Sequence, residues 1–132
     1  MEPVSTNEIW DYQSGEVWIF VVRGDLDAYL SPDLRDRLDR ALTACAAELL
    51  VDLEEATFMD AAALGVLVTA LEKAGDSGAV LRLVAPSAPV QRLLRLTQTE
   101  SVFPIERDLI TAYARVEQAA RSEKARGFDD AA

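Results

Sequence analysis

The sequence predicts a single α/β domain with a mixed, mostly parallel sheet. Three observations carry this. Short apolar runs rich in β-branched residues alternate with stretches of helical periodicity, a pattern that implies parallel strands joined by right-handed crossovers. The first two strand-like runs are separated only by Ser14-Gly15-Glu16, so the pattern opens with an antiparallel hairpin. A length of 132 residues suffices for one ordinary domain and not for two well-cored ones.

Residues 8–12 and 17–22 read as the two hairpin strands, the second being the aromatic and β-branched run Val17-Trp18-Ile19-Phe20-Val21-Val22. Trp10 and Trp18 alternate with other strand residues and are assigned to the core. Asp25 to Leu30 form a loop before a helix start, where Ser31 is placed to cap, Pro32 suits the first helical position and Asp33 faces the positive end of the dipole. From Pro32 to about Ala44, the spacing of Leu34, Leu38, Ala41 and Leu42 gives one buried face, and the mixed charges of residues 35–40 a solvated one.

Leu49 to Leu53 is a nearly continuous apolar strand of the kind covered on both sides. A helix follows from Ala61 to about Ala74, with Leu64, Leu67, Val68 and Leu71 as its core stripe, stopped by Gly75-Asp76-Ser77-Gly78. Val80 to Val84 is a further strand, and Pro86 to Pro89 turns the chain into a short helix carrying Val90, Leu93, Leu94 and Leu96. Val102-Phe103-Pro104-Ile105 is a short strand whose proline confines it to an edge or an end. A last helix starts at Asp108 and gives way, from about Ser122, to a loose polar tail ending in Asp129-Asp130. The order is β-β-α-β-α-β-α-β-α.

Composition narrows the function. A net charge of −10 argues against nucleic acid and anionic membranes, both of which need a cationic surface. There is no histidine, which removes the commonest general base and the commonest metal ligand. No metal cluster, phosphate-binding glycine loop or cofactor motif appears, and the reading is of a protein that is not an enzyme and carries no cofactor. The acidic pairs Asp25/Asp27 and Glu54/Glu55 read as solvated loop charges. Cys45 stands alone between alanines and reads as a filler of a small gap. Met1 to Ser5 lacks the basic and apolar segments of a secretory signal, and the longest apolar runs fall well short of the roughly 18 residues of a membrane span. A cytoplasmic location is the expectation.

The junction Phe58-Met59-Asp60-Ala61-Ala62-Ala63-Leu64-Gly65 holds the most information. Asp60 stands where a helix cap belongs, and the free N–H groups of the first turn, with the helix dipole, make that end receptive to an anion. Gly65 allows close backbone approach or removes a steric obstacle.

Gly24-Asp25-Leu26-Asp27, Ser31-Pro32, Leu50-Val51-Asp52-Leu53, Phe58-Met59-Asp60, Leu64-Gly65-Val66-Leu67, and the run from Arg82-Leu83-Val84 to Val102-Phe103-Pro104 together resemble a STAS domain, and more narrowly the bacterial anti-sigma factor antagonists. The resemblance covers residues 8–118, leaving 119–132 as a helix end and tail, and its motifs occur in the family's order. It implies partner switching: an antagonist binds an anti-sigma factor, usually a serine kinase of histidine-kinase-like ATPase fold, and so frees a sigma factor for transcription. It also implies a partner surface at Asp25, Asp27, Ser31, Asp60, Ala61, Ala62, Ala63, Leu64 and Gly65. The family segment Asp-Ser-Ser/Thr-Gly-Leu-Gly is matched at Asp60, Leu64 and Gly65. Ala61 and Ala62 occupy its hydroxyl positions, so there is no phosphosite there. A second reading is a STAS scaffold or accessory subunit of a sensor or transporter complex without direct control of sigma. Small-molecule binding is the weakest reading, and the oligomeric state, a homodimer included, is left open.

Overall fold

The computed structural model describes residues 7–130; the reading of Met1 to Ser5 and the last two residues of the tail lie outside them. Five strands, β1 (Glu8–Ser14), β2 (Val17–Leu26), β3 (Glu48–Met59), β4 (Val80–Val84) and β5 (Ile105–Glu106), form one sheet in the order β1-β2-β3-β4-β5. β1 is antiparallel to β2, and every other neighbouring pair is parallel. The helices are α1 (Ser31–Thr43), α2 (Ala61–Asp76), α3 (Ala88–Leu96) and α4 (Leu109–Asp130). The mixed sheet and the element order agree with the sequence pattern.

The period of two along each strand divides the side chains between two layers. Phe20, Val22, Leu49, Val51, Leu53, Leu81 and Leu83 face α1, α2 and α3, whose buried members include Leu34, Leu38, Ala63, Leu67, Val90 and Leu94. Ile19, Leu50 and Val84 face the other way, against Ala112 of α4. β3 therefore contributes to both cores, which is why its first half is an uninterrupted apolar run.

Polar contacts fasten the layers. Arg37 of α1 reaches Asp11 of β1 at 2.6 Å and Asp33 one turn back at 3.0 Å. Burial works against its charge, but these two carboxylates outweigh it and raise its pKa. The charges of residues 35–40 are thus not all a solvated face. Under α4, Glu106 is buried and accepts from Arg82 at 3.4 Å and from Arg115 at 3.0 Å, while Arg82 also holds Glu48 at 3.1 Å.

Several expectations are corrected. β3 runs six residues beyond Leu53, because β2 supplies backbone partners as far as Met59; Glu54 and Glu55 are strand residues, and Glu55 pairs with Arg23. Ser31 is not the cap of α1. That residue is Leu30, Ser31 is buried in the first turn, and the Asp27 carboxylate instead accepts from the N–H groups of Tyr29 and Leu30. Trp10 is 46% exposed on β1 with the Arg23 guanidinium 5.0 Å from its ring centroid, whereas Trp18 packs against the core. Cys45 is exposed, with φ of 62° just after α1, and fills no gap. β5 begins only at Ile105, since Pro104 has no N–H to give a ladder, although its carbonyl accepts from Leu83. α2 continues through Gly75 and Asp76 to a cap at Ser77, and α4 continues through the expected tail to Asp130.

On the α4 side of β3, Asp52 is half-buried. Burial raises its carboxyl pKa, the Glu54 N–H that it accepts works against this, and the Glu55 charge adds to it. Burial and the Asp52 charge also raise the Tyr12 phenol. A carboxyl raised in the folded state contributes stability that is present below its ordinary pKa and lost as the pH rises through the folded value. Asp52→Asn keeps an oxygen for the Glu54 N–H and removes the charge. Its stability advantage over the wild type should therefore grow as the pH rises from about 4 through the folded-state pKa and then level off in urea melts. The Tyr12 phenol should titrate at lower pH in the variant by ultraviolet difference spectroscopy.

Candidate functional site

Parallel pairing of β2 and β3 brings the carboxyl ends of both strands to one edge of the molecule. β2 leads from there into the turn before α1, and β3 leads straight into α2. Residues far apart in sequence thereby become neighbours. Gly24 makes this possible: it sits inside β2 with φ of 87°, between two register shifts in the β2–β3 pairing. Only glycine adopts that conformation without strain, and the resulting irregularity re-aims the strand end.

Beyond it, Asp25 pairs with Phe58 and Leu26 with Met59. The Thr57 hydroxyl donates to the Asp25 carboxylate at 2.6 Å, and the Asp25 N–H donates to the Asn7 side chain at 2.9 Å. Asp25 is therefore a strand residue tied across the sheet, and Thr57 is a member of the site that sequence spacing did not single out. Asp27 closes the turn that follows. The N–H of Asp60 donates to the Leu26 carbonyl at 3.3 Å, which stitches the start of α2 to the end of β2.

Asp60 has extended backbone, and its carboxylate accepts from the Ala63 N–H at 2.9 Å while its carbonyl accepts from Leu64. It is the cap of α2, as its position implied. Among the described residues the N–H groups of Ala61 and Ala62 have no such partner. Ala61, Ala62 and Gly65 point outward, and Asp25, Asp27 and Asp60 are partly exposed around them. Ala63, Leu64 and Ser31 are brought to the same region but are buried, so their side chains serve the core. Tyr29, 91% exposed, stands on the turn before α1 and was not marked by any periodicity.

Gly65 requires no special backbone here, and a methyl group added to it would meet nothing within 4 Å. The chain's own packing does not call for a glycine. Together with Ala62, Thr69 and Ala70 it lines a shallow groove between α2 and α1 that Arg35, Asp39 and Lys73 border. The Lys73–Asp39 pair, at 3.2 Å, bridges the two helices along it. The surface is smooth because small residues line it, and it is rimmed by acids at the strand end. Among the described residues no group of His, Cys, Asp and Glu could hold a metal, and no helix is long and apolar enough to cross a membrane.

The chain matches the model of the STAS domain over residues 9–112. It is 32% identical over 92 residues to a STAS-domain containing protein of Pseudomonas aeruginosa, an alignment covering 69% of this chain and 89% of that one. It is 29% identical over 99 residues to the anti-sigma-B factor antagonist of Listeria monocytogenes, covering 75% and 86%. The crystal structure of an anti-sigma factor antagonist from Mycobacterium paratuberculosis superposes with a TM-score of 0.75 at 21% identity, covering 89% of this chain and 99% of that one.

Two substitutions test the local reading in opposite directions. Asp60→Ala removes the cap of α2 and should cost about 0.5–2 kcal/mol in a urea melt. Gly65→Ala, in an exposed helix interior with free space around it, should stabilise the protein by about 0.5–1 kcal/mol in the same measurement.

Proposed function

The chain belongs to the STAS domain family, and on that footing we propose that it is an anti-sigma factor antagonist that engages its anti-sigma factor through the start of α2. The observation that carries the reading is the exposed, small-residue surface of Ala61, Ala62 and Gly65, set at the helix end between Asp25, Asp27 and Asp60. Small side chains let a partner's backbone approach closely, and a glycine that this chain's own fold does not need is explained by that approach. Relatives that carry the name of anti-sigma factor antagonist support the same reading.

The acidic rim steers a partner with a complementary basic surface and sets the association rate more than the affinity. The partner is an anti-sigma factor of serine-kinase type with a histidine-kinase-like ATPase fold. In an antagonist with a serine at position 61 or 62, a phosphate would accept the free N–H groups of the first turn yet add nearly two negative charges beside Asp60. That is the physical basis of release. Alanine offers no acceptor, so the complex formed by this chain is not dissolved by the kinase's own activity.

Mixing the purified protein with the anti-sigma kinases of its host should give a complex that persists when ATP is added, measured by size-exclusion chromatography and calorimetry. Changing Ala61 and Ala62 together to serine should make the complex ATP-sensitive, with phosphate detected in this segment by mass spectrometry. Gly65→Ala, which the free protein tolerates, should weaken the complex about tenfold or more. Absence of binding to every such kinase, or phosphorylation of the unaltered segment, would refute the proposal.

A further inference from the structure

Beside the start of α2 lies a second surface that the reading above does not use. β4 ends at Val84, so the second half of β3 has no strand on that side. α3 takes its place: Ser87 donates its N–H to the Leu53 carbonyl at 3.2 Å and its hydroxyl to the Ala56 carbonyl at 2.6 Å, closing that edge. Between the end of β3 and α3 runs an open groove of about 590 Å³, lined chiefly by Phe58, Met59, Pro89, Arg92, Arg95 and Leu96. Phe58 is 48% and Leu96 76% exposed. Phe58 and Met59 immediately precede Asp60, so the groove lies next to the cap of α2.

Its charge runs against the rest of the molecule. The chain carries −10 overall, and most of its described cations are engaged in ion pairs. Arg92 and Arg95 are exposed on one face of α3 and take part in no ion pair among the described residues. Arg92, Arg95 and Leu96 follow the i, i+3, i+4 spacing that places them together. The groove thus joins an apolar floor to two free guanidinium groups, each suited to bidentate pairing with a carboxylate.

We propose that this groove is a docking site for an amphipathic segment of the partner protein, one that presents apolar side chains to Phe58 and Leu96 and carboxylates to Arg92 and Arg95. The proposal deepens the reading of the α2 end, and rests on it for the identity of the partner: the two surfaces are adjacent and of opposite charge. Asp25, Asp27 and Asp60 lie at the strand end beside Ala61 and Ala62, with Arg35 also bordering Ala62, and Arg92 and Arg95 line the neighbouring groove. A partner must match a basic contact and an acidic contact at fixed separation, which confers register and rejects proteins that are uniformly basic.

Two arms of one experiment test this. In the first, ¹⁵N-labelled protein is titrated with a synthetic amphipathic helix of leucine and glutamate, and separately with its leucine and lysine counterpart. The glutamate peptide should shift the amide signals of Phe58, Arg92, Arg95 and Leu96 saturably, and R92E/R95E should remove the effect. Shifts scattered over the surface, or equal binding of the lysine peptide at these residues, overturn the proposal without reference to any anti-sigma factor. In the second, R92E/R95E and the wild type are compared for binding to the anti-sigma factor. The variant should bind about tenfold more weakly, with a shallower salt dependence, and reversal of a facing carboxylate on the partner should restore affinity. Equal affinity of variant and wild type sinks the groove and spares the α2 surface. Groove-specific peptide shifts without binding of any anti-sigma factor sink the reading of the α2 surface and keep the groove as the site of another acidic, apolar partner. Both substituted positions are exposed, so the circular dichroism of R92E/R95E should match that of the wild type, the check that the variant folds.

Discussion

Everything at the candidate site depends on the parallel pairing of β2 with β3 beyond the point where β4 stops. The two strands are bonded from Val17–Glu48 to Leu26–Met59, whereas β4 matches only the first five residues of β3. The projecting pair carries the turn before α1 on one strand and the cap of α2 on the other. Its direction is set by the buried faces below it, where Phe20, Val22, Val51 and Leu53 leave no freedom to slip by one residue without turning the core outward. A short β4 then leaves room for α3, and Ser87 closes the edge that would otherwise remain open. One inequality in strand length thus creates both the α2 end and the groove beside it.

The same geometry separates the residues that pack from those left on the surface. Leu64 and Ala63 turn inward and fasten α2 to the sheet, while Ala61, Ala62 and Gly65, on the same two turns, face out. The helix can present a smooth surface because its neighbours in sequence do the packing. Asp60 serves both sides, since its carboxylate satisfies the Ala63 N–H and adds to the acidic rim. Exposed small residues contribute little to the core, so substitutions there leave the packing intact, whereas those at Leu64 or Leu67 disturb it. Charge is divided in the same manner. Glu106, Arg82 and Arg37 are consumed in holding layers together, whereas Arg92 and Arg95, like Arg40, take part in no ion pair among the described residues and lie together on one surface of α3.

Much of this was legible in the residues. The period of Leu34, Leu38 and Ala41 marked α1, the run Leu49 to Leu53 marked a strand buried on both sides, and Asp60 was recognisable as a cap from its position alone. Less visible was the second half of β3. Glu54, Glu55 and Thr57 look like loop residues, and they are strand residues only because β2 supplies hydrogen-bond partners from a distant part of the chain. Ser31 had the right chemistry for a cap and the wrong environment. Asp27 takes over the loose N–H groups, and Ser31 is carried into the interior. Trp10 had the character of a core residue, but β1 is an edge strand and leaves Trp10 46% exposed.

By itself, the sequence determined the element order, the mixed sheet, the family resemblance, and the presence of alanine at positions 61 and 62, because those follow from periodicity, turn chemistry and the order of motifs along the chain. Tertiary structure alone decided which candidate residues reach solvent, that Thr57 is bound to Asp25, and that Phe58 joins Arg92 and Arg95 across a groove. Exposure and proximity depend on how far each strand extends and on which element covers it. Those are properties of the packed sheet, and no local stretch of residues contains them.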